Sequence, residues 1–302
     1  MATWQFPADF VLWIGALAQV LDARVRDQLA PMFLGLLFAQ GRRTVASWLR
    51  AIGVRKGYDE YYYFLTALAA RPKRWPAICF GGCRQWCCWA IGWSSAWILD
   101  DTPTKRYGPC VEGAGIHHNP TPGPAGQKFL YGHVWVTVAW LVRHGQWGTI
   151  ALPLLARLYV RVKDVKALQA LYGWKFQTKL ELAAELVEWL ARWLHYLGKP
   201  IWVVADGAYA KRPFLRRATA AGVTVVSRLR KDAALWSLPA VADHGRKRRG
   251  RPRTYGTERI SLAKRAAQKR GWRKETFILY GREMEKTFKT FLATYRPVGS
   301  VI

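Results

Sequence analysis

The sequence predicts an α/β chain: a mixed sheet flanked by helices, a helical N-terminal domain, and a basic region with strands at the end. Three observations carry this. Two short apolar runs, Ala96–Leu99 and Ile201–Ala205, each lead straight into aspartate, at Asp100-Asp101 and at Asp206. Between them Leu182, Leu186, Leu190 and Leu194 recur at the spacing of one helix face. The charge is uneven: 47 Lys and Arg against 19 Asp and Glu give a net +28, and half of that excess lies from Arg228 onward. With 302 residues, 51% of them hydrophobic, the chain has material for about two domains and a sizeable core. That excludes a wholly disordered protein. The cationic excess points to a polyanionic partner, nucleic acid first and an anionic membrane surface second.

Residues 1–78 read as the helical domain. Leu12, Ile14, Leu17, Val20 and Leu21 form a helical stripe, and Pro31 opens a second apolar segment, Met32 to Ala39. The run Phe10 to Val20 is shorter than the ~18 apolar residues of a membrane span. No Lys or Arg precedes it, so it does not read as a signal peptide, and the expectation is a cytoplasmic protein. Between Gly41 and Val54 a short basic helix is framed by Thr44 as cap and Gly53 as stop. It suits a helix-turn-helix entering a DNA groove, and it suits an ordinary buried helix equally well. The segment 79–95 holds Trp86, Trp89, Trp93 and four of the five cysteines. Cys79, Cys83, Cys87 and Cys88 contain no C-x-x-C pair, so buried small apolar residues are favoured over a zinc site.

The core is expected over 96–230. Ala96–Leu99 reads as a buried strand ending at its two acids, followed by a proline-punctuated loop from Thr102 to Gln127. Lys128–His144 and Trp147–Val162 read as strands joined by a hairpin at Gly145-Gln146. Thr178-x-x-Glu181 has the form of a capping box opening a helix that Gly198 and Pro200 end. Ile201–Ala205 then reads as a strand, Lys211–Ala221 as a helix and Val223–Arg228 as a strand. Three antiparallel strands followed by helical crossovers to parallel strands is the order of an RNase H-like domain. In that architecture the first and fourth of these strands are neighbours, which brings Asp100 and Asp206 together at one edge. Two carboxylates there suit a divalent cation.

Residues 231–302 form a basic insertion region. Arg246-Lys247-Arg248-Arg249-Gly250-Arg251-Pro252-Arg253 is its densest run. The Gly-Arg-Pro centre is similar to an AT-hook, whose arginines lie in a narrow minor groove. A solvated basic linker is the alternative, and it too would meet phosphate. Glu275–Tyr280 and Thr290–Tyr295 read as strands.

At Asp100-Asp101-Thr102-Pro103-Thr104-Lys105-Arg106-Tyr107-Gly108, at Val111–Gly115 and at His117-His118-Asn119-Pro120, the chain resembles a bacterial insertion-sequence transposase of the DDE superfamily. Ala205-Asp206-Gly207-Ala208-Tyr209-Ala210-Lys211-Arg212-Pro213-Phe214 is similar to the segment bearing that family's second catalytic aspartate. The resemblance implies DNA strand cleavage and strand transfer at element ends, with two Mg2+ ions and Mn2+ as a substitute. It implies double-stranded DNA as partner, both insertion-sequence ends and target DNA. A homodimer at synapsis follows from it too, while no membrane partner is expected because no segment is long and apolar enough to span a bilayer. Carried over by motif, the catalytic and metal-binding acids are Asp100 and Asp206, with Asp101 the alternative first acid. The family's third acid, a Glu on a later helix, has no counterpart: Glu283 and Glu285 stand in the wrong spacing to Tyr280 and Arg282. The expectation is a C-terminally truncated core, impaired in catalysis.

The chemistry explains the residue types. Phosphodiester transfer is an in-line displacement between two metal ions roughly 3.5–4 Å apart. Mg2+ takes carboxylate oxygen and keeps several waters. Lys105, Arg106, Lys211 and Arg212 flank the acids and would hold phosphate, or would simply be solvated; Arg228 is a further candidate for DNA contact. Arg246, Lys247, Arg248, Arg249, Arg251 and Arg253 extend that surface. His117 and His118 are expected to be structural or DNA-facing. The tryptophans are core by default, with base stacking the alternative. Three functions compete: a transposase, a non-catalytic DNA-binding remnant that recognises element ends, and a membrane-surface basic protein. The last is weakest because no strongly amphipathic basic helix stands out.

Overall fold

A computed structural model describes residues 8–301 except 20, 42–43, 70–95, 109, 120–126, 240–253, 280, 297 and 299. The cysteine cluster at 79–88 and the basic run 246–253 therefore lie outside the described residues. The chain divides into two compact units, one before Ala96 and one from Ala96 onward apart from His195–Leu197. Among the described residues no helix is long and apolar enough to cross a membrane.

The first unit contains α1 (Ala8–Ala18), α2 (Leu29–Phe38), α3 (Val45–Ala51) and α4 (Tyr58–Ala69). Leu21, Val25, Leu29, Met32, Leu49 and Phe64 form its core. Thr44 caps α3 by accepting from the Ser47 amide at 3.3 Å, and Gly53 follows the helix at φ +81°. Gly35 lets α2 meet α3 backbone to backbone, since a Cβ there would lie 2.5 Å from the Trp48 carbonyl oxygen.

The second unit is built on a six-stranded mixed sheet: β1 (Ala96–Lys105), β2 (Gly115–His118), β3 (Phe129–His144), β4 (Gly148–Tyr159), β5 (Ile201–Ala205) and β6 (Val223–Ser227). The strand order is β2-β3-β1-β5-β6, with β4 also on β3. β1 is antiparallel to β3 and parallel to β5, and β5 is parallel to β6. This mixed α/β arrangement is consistent with an RNase H-like fold. Between β4 and β5 lie α5 (Val162–Tyr172) and α6 (Lys179–Leu194), and α7 (Arg212–Ala220) joins β5 to β6. α6 lies against β3, β4 and β5, and α7 lies against α6 and β6. The apolar stripe of α6 is buried at Leu182, Leu186, Leu190 and Leu194. Its capping box forms: the Thr178 amide donates to Glu181 at 2.7 Å and the Glu181 amide donates to Thr178 Oγ1 at 3.3 Å. Those donors hold the Glu181 carboxyl below the usual range.

Three expectations need correction. The first strand does not stop at its acids. Asp100 to Lys105 stays paired with Thr137 to Gly132, because β3 is 16 residues long and offers a partner beyond the end of β5. The strand expected to reach Val162 ends at Tyr159 and gives way to α5, which Gly173 stops in the left-handed region. β2 lies in what reads as a continuous loop; its pairing with β3 places Gly115 opposite Gly132.

Beyond β6 a small sheet forms from β7 (Leu235–Trp236), β8 (Arg259–Ile260), β11 (Thr294–Tyr295) and β12 (Ser300–Val301), in the order β12-β11-β7-β8. Leu235, Ile260 and Ala293 are its core. The short helix α8 (Leu262–Ala267) precedes a separate two-stranded ribbon, β9 (Arg273–Leu279) and β10 (Arg282–Phe288). β10 answers to no strand expected from the sequence.

Candidate functional site

The register of β1 on β5 sets the site. Leu99 pairs with Ala205, and the next residues are Asp100 and Asp206. Side chains alternate across a sheet, and neighbouring strands lie about 4.8 Å apart. Trp97, Leu99, Val203 and Ala205 are buried, on the face that α6 covers. Asp100 and Asp206 therefore share the opposite face with Ile98, Trp202 and Val204, and Trp202 is 49% exposed there. Both aspartates are solvent-accessible.

Burial pushes the Asp100 carboxyl above its ordinary range, and the charges of Asp101 and Asp206 push it further. The Asp101 amide, which donates to Asp100 Oδ1 at 2.8 Å, and the charge of Lys179 oppose this. That the Asp206 charge reaches Asp100 agrees with the neighbouring ends of β1 and β5. Asp206 caps the 3-10 turn Gly207–Tyr209, accepting from the Gly207 amide at 2.5 Å. Ser227 Oγ on β6 donates to the Asp206 carbonyl at 3.0 Å. Gly207 is required at its position, because a Cβ would lie 2.7 Å from the Arg228 carbonyl oxygen.

Asp101 points the other way, toward α6. Lys179 Nζ donates to its Oδ2 at 2.6 Å, and the Tyr209 hydroxyl donates to its Oδ1 at 3.0 Å. Tyr209 is 2% exposed, and burial together with the Asp101 charge drives its phenol well above the ordinary range. Neither Lys179 nor Tyr209 stood out in the sequence as a site residue.

The cations distribute unevenly. Arg228 lines a cleft of about 540 Å3 with Asp206, Lys231 and the ion pair of Arg230 with Asp232. Lys211 and Arg212 are exposed at the start of α7. Lys105 is exposed at the end of β1, whereas Arg106 is tied to His133 Nδ1 by its Nε at 3.0 Å. His117 is buried on β2, where burial and the cations Arg161 and Lys179 disfavour its charged form. His118 is exposed, edge-on to Phe129 at 5.8 Å. Glu283 and Glu285 lie on the ribbon strand β10, and Glu285 pairs with Lys274 at 2.9 Å. Among the described residues no group of three or more His, Cys, Asp or Glu is placed to hold a metal ion.

Asp100 and Asp206 nonetheless fit a hard cation. They offer carboxylate oxygens from one face, and their like charges raise the cost of ionising both without a counter-ion.

No curated protein matches the chain at a significant level. A family model described as DDE superfamily endonuclease matches residues 16–279, which take in α2 to α4, the whole six-stranded sheet with both aspartates, and β9. With that match spanning most of its length, the chain belongs to the DDE superfamily endonuclease family.

Proposed function

We propose that this protein is the catalytic core of an insertion-sequence transposase, cleaving DNA strands and transferring them at the ends of its element. The observation that carries the reading is the placement of Asp100 and Asp206, each directly after the Leu99–Ala205 pair that ends the β1–β5 ladder, beside a cleft lined by Arg228 and Lys231. Asp100 and Asp206 would hold Mg2+, or Mn2+ in its place, and water would complete the coordination. A cation held there would supply activation of the nucleophile and offset charge on the leaving oxygen. Asp206 is presented by a turn whose carbonyl and amide groups are both engaged, so its carboxylate needs little reorganisation. Arg228, Lys211 and Arg212 hold phosphates on either side, with Lys105 on the far end of β1. The basic run from Arg246 to Arg253 adds non-specific affinity for the duplex. Two copies meet when two element ends are brought together.

A second reading has its own support. Among the described residues no third acid joins the pair, so one metal position has few protein ligands. The chain is then a DNA-binding protein of weak or absent cleavage activity. Incubation with supercoiled DNA carrying element ends, in Mn2+, separates the two. Nicking by the unmodified protein that disappears in Asp100→Asn and Asp206→Asn, with DNA binding retained, supports the transposase. DNA binding without nicking in any condition supports the binder. Preference for anionic vesicles over DNA contradicts both.

A further inference from the structure

We infer that Asp101 is a positioning residue, the centre of a Lys179–Asp101–Tyr209 strut that holds the Asp206 turn in register with Asp100; this rests on the reading of Asp100 and Asp206 as the cation ligands. Three elements converge on one carboxylate. Asp101 belongs to β1, Lys179 is the first residue of α6, and Tyr209 closes the turn that begins at Asp206. Both oxygens of Asp101 are engaged, at 2.6 Å by Lys179 and at 3.0 Å by Tyr209.

The strut reaches both ligands by short covalent paths. The Asp101 amide donates to Asp100 Oδ1 at 2.8 Å, so the peptide that carries Asp101 also orients the Asp100 carboxylate. On the other side, the Tyr209 amide donates to the Asp206 carbonyl at 2.9 Å and locks the turn. The Tyr209 ring is buried edge-on to Phe214 of α7, with centroids 6.0 Å apart. A shift of Tyr209 relative to Asp101 is therefore a shift of Asp206 relative to Asp100.

Stability alone does not account for the arrangement. Lys179 and Asp101 are partly buried, with side chains 38% and 23% exposed. A pair taken out of water gains little over a well-packed apolar replacement, whereas its geometry is specific. Outer partners that orient metal ligands typically set about 10–100-fold of metal affinity. The same strut removes Asp101 from the ligand set, since both its oxygens are committed on the α6 face.

The test is Mn2+ affinity of the full chain, by electron paramagnetic resonance at fixed neutral pH, with the melting temperature measured beside it. Tyr209→Phe, which deletes only the hydroxyl, is expected to weaken Mn2+ binding about tenfold or more while lowering the melting temperature by only about 2–4 °C. Asp101→Asn is expected to do the same, and the double variant to be no worse than either single one. Lys179→Arg should keep the affinity that Lys179→Met loses. Wild-type affinity in Tyr209→Phe, with binding lost in Asp100→Asn, overturns the strut and leaves the ligand reading standing. Abolished binding in Asp101→Asn with none of the loss in Tyr209→Phe makes Asp101 a ligand and also overturns the strut. Undiminished binding in Asp100→Asn overturns the ligand reading itself.

Discussion

Tyr209, three residues beyond Asp206, donates its hydroxyl hydrogen to Asp101, one residue beyond Asp100, across 3.0 Å. Two adjacent aspartates on one strand thus face opposite sides of the sheet. Asp101→Ala leaves Lys179 and Tyr209 without their acceptor, at a cost of about 1–3 kcal/mol once the partial exposure of Lys179 is allowed for. Asp100→Ala removes a carboxylate whose charged form the fold disfavours, and it should cost less than Asp101→Ala or raise stability. Urea denaturation of the two variants at neutral pH checks the ranking.

Asp100 also sets a pH signature. Its carboxyl lies above the ordinary range in the folded protein, chiefly through burial. The folded state therefore binds this proton more tightly than the unfolded chain, and the contribution to stability is lost as pH rises through the raised value. Without metal, the melting-temperature advantage of Asp100→Asn over the parent should be present at neutral pH and fade as pH falls toward the ordinary aspartate range. Saturating Mn2+ should reverse the order at neutral pH, because only the parent carries both carboxylates.

Gly207 tests the turn that presents Asp206. A Cβ at this position would meet the Arg228 carbonyl oxygen at 2.7 Å. Gly207→Ala must then push the turn away from the end of β6, at about 1–3 kcal/mol for an overpacked contact. Chemical denaturation gives the cost. A fall in Mn2+ affinity in the same variant would show that the displacement reaches Asp206.

The basic run at 246–253 makes an electrostatic prediction. Replacing Arg246, Lys247, Arg248, Arg249, Arg251 and Arg253 by serine should weaken DNA binding nearly uniformly across sequences. It should also reduce the slope of log affinity against log salt by roughly 0.9 for each phosphate contact removed. Fluorescence anisotropy over a salt series measures both. A loss confined to A·T-rich duplexes would instead mark the minor-groove reading that the Gly-Arg-Pro centre resembles.

Much of the sheet was legible in the sequence. Ala96–Leu99, Ile201–Ala205 and Val223–Ser227 are short apolar runs with clear stops, and α6 carries a full leucine stripe with a capping box at its start. Their order matches an RNase H-like domain, in which the strands that lead into Asp100 and Asp206 are neighbours, as β1 and β5 are. The features that escaped detection lack a local signature. Asp100 to Lys105 continues β1 through backbone pairing with β3, and its polar side chains give no apolar pattern. α5 opens with Val162-Lys163-Asp164, too polar to advertise a buried face, and buries only Val165 and Leu168. The partners of Asp101 are 78 and 108 residues away along the chain. No spacing rule reaches them, so the sequence leaves Asp100 and Asp101 as alternatives that only the fold distinguishes by face.

The most direct measurement is a Mn2+ titration of the unmodified chain, of Asp100→Asn and of Asp206→Asn, followed through the free-ion paramagnetic signal at neutral pH. Saturable binding by the parent, lost in each variant, is the expected result. Binding that persists undiminished in either variant would contradict the shared site at the ends of β1 and β5.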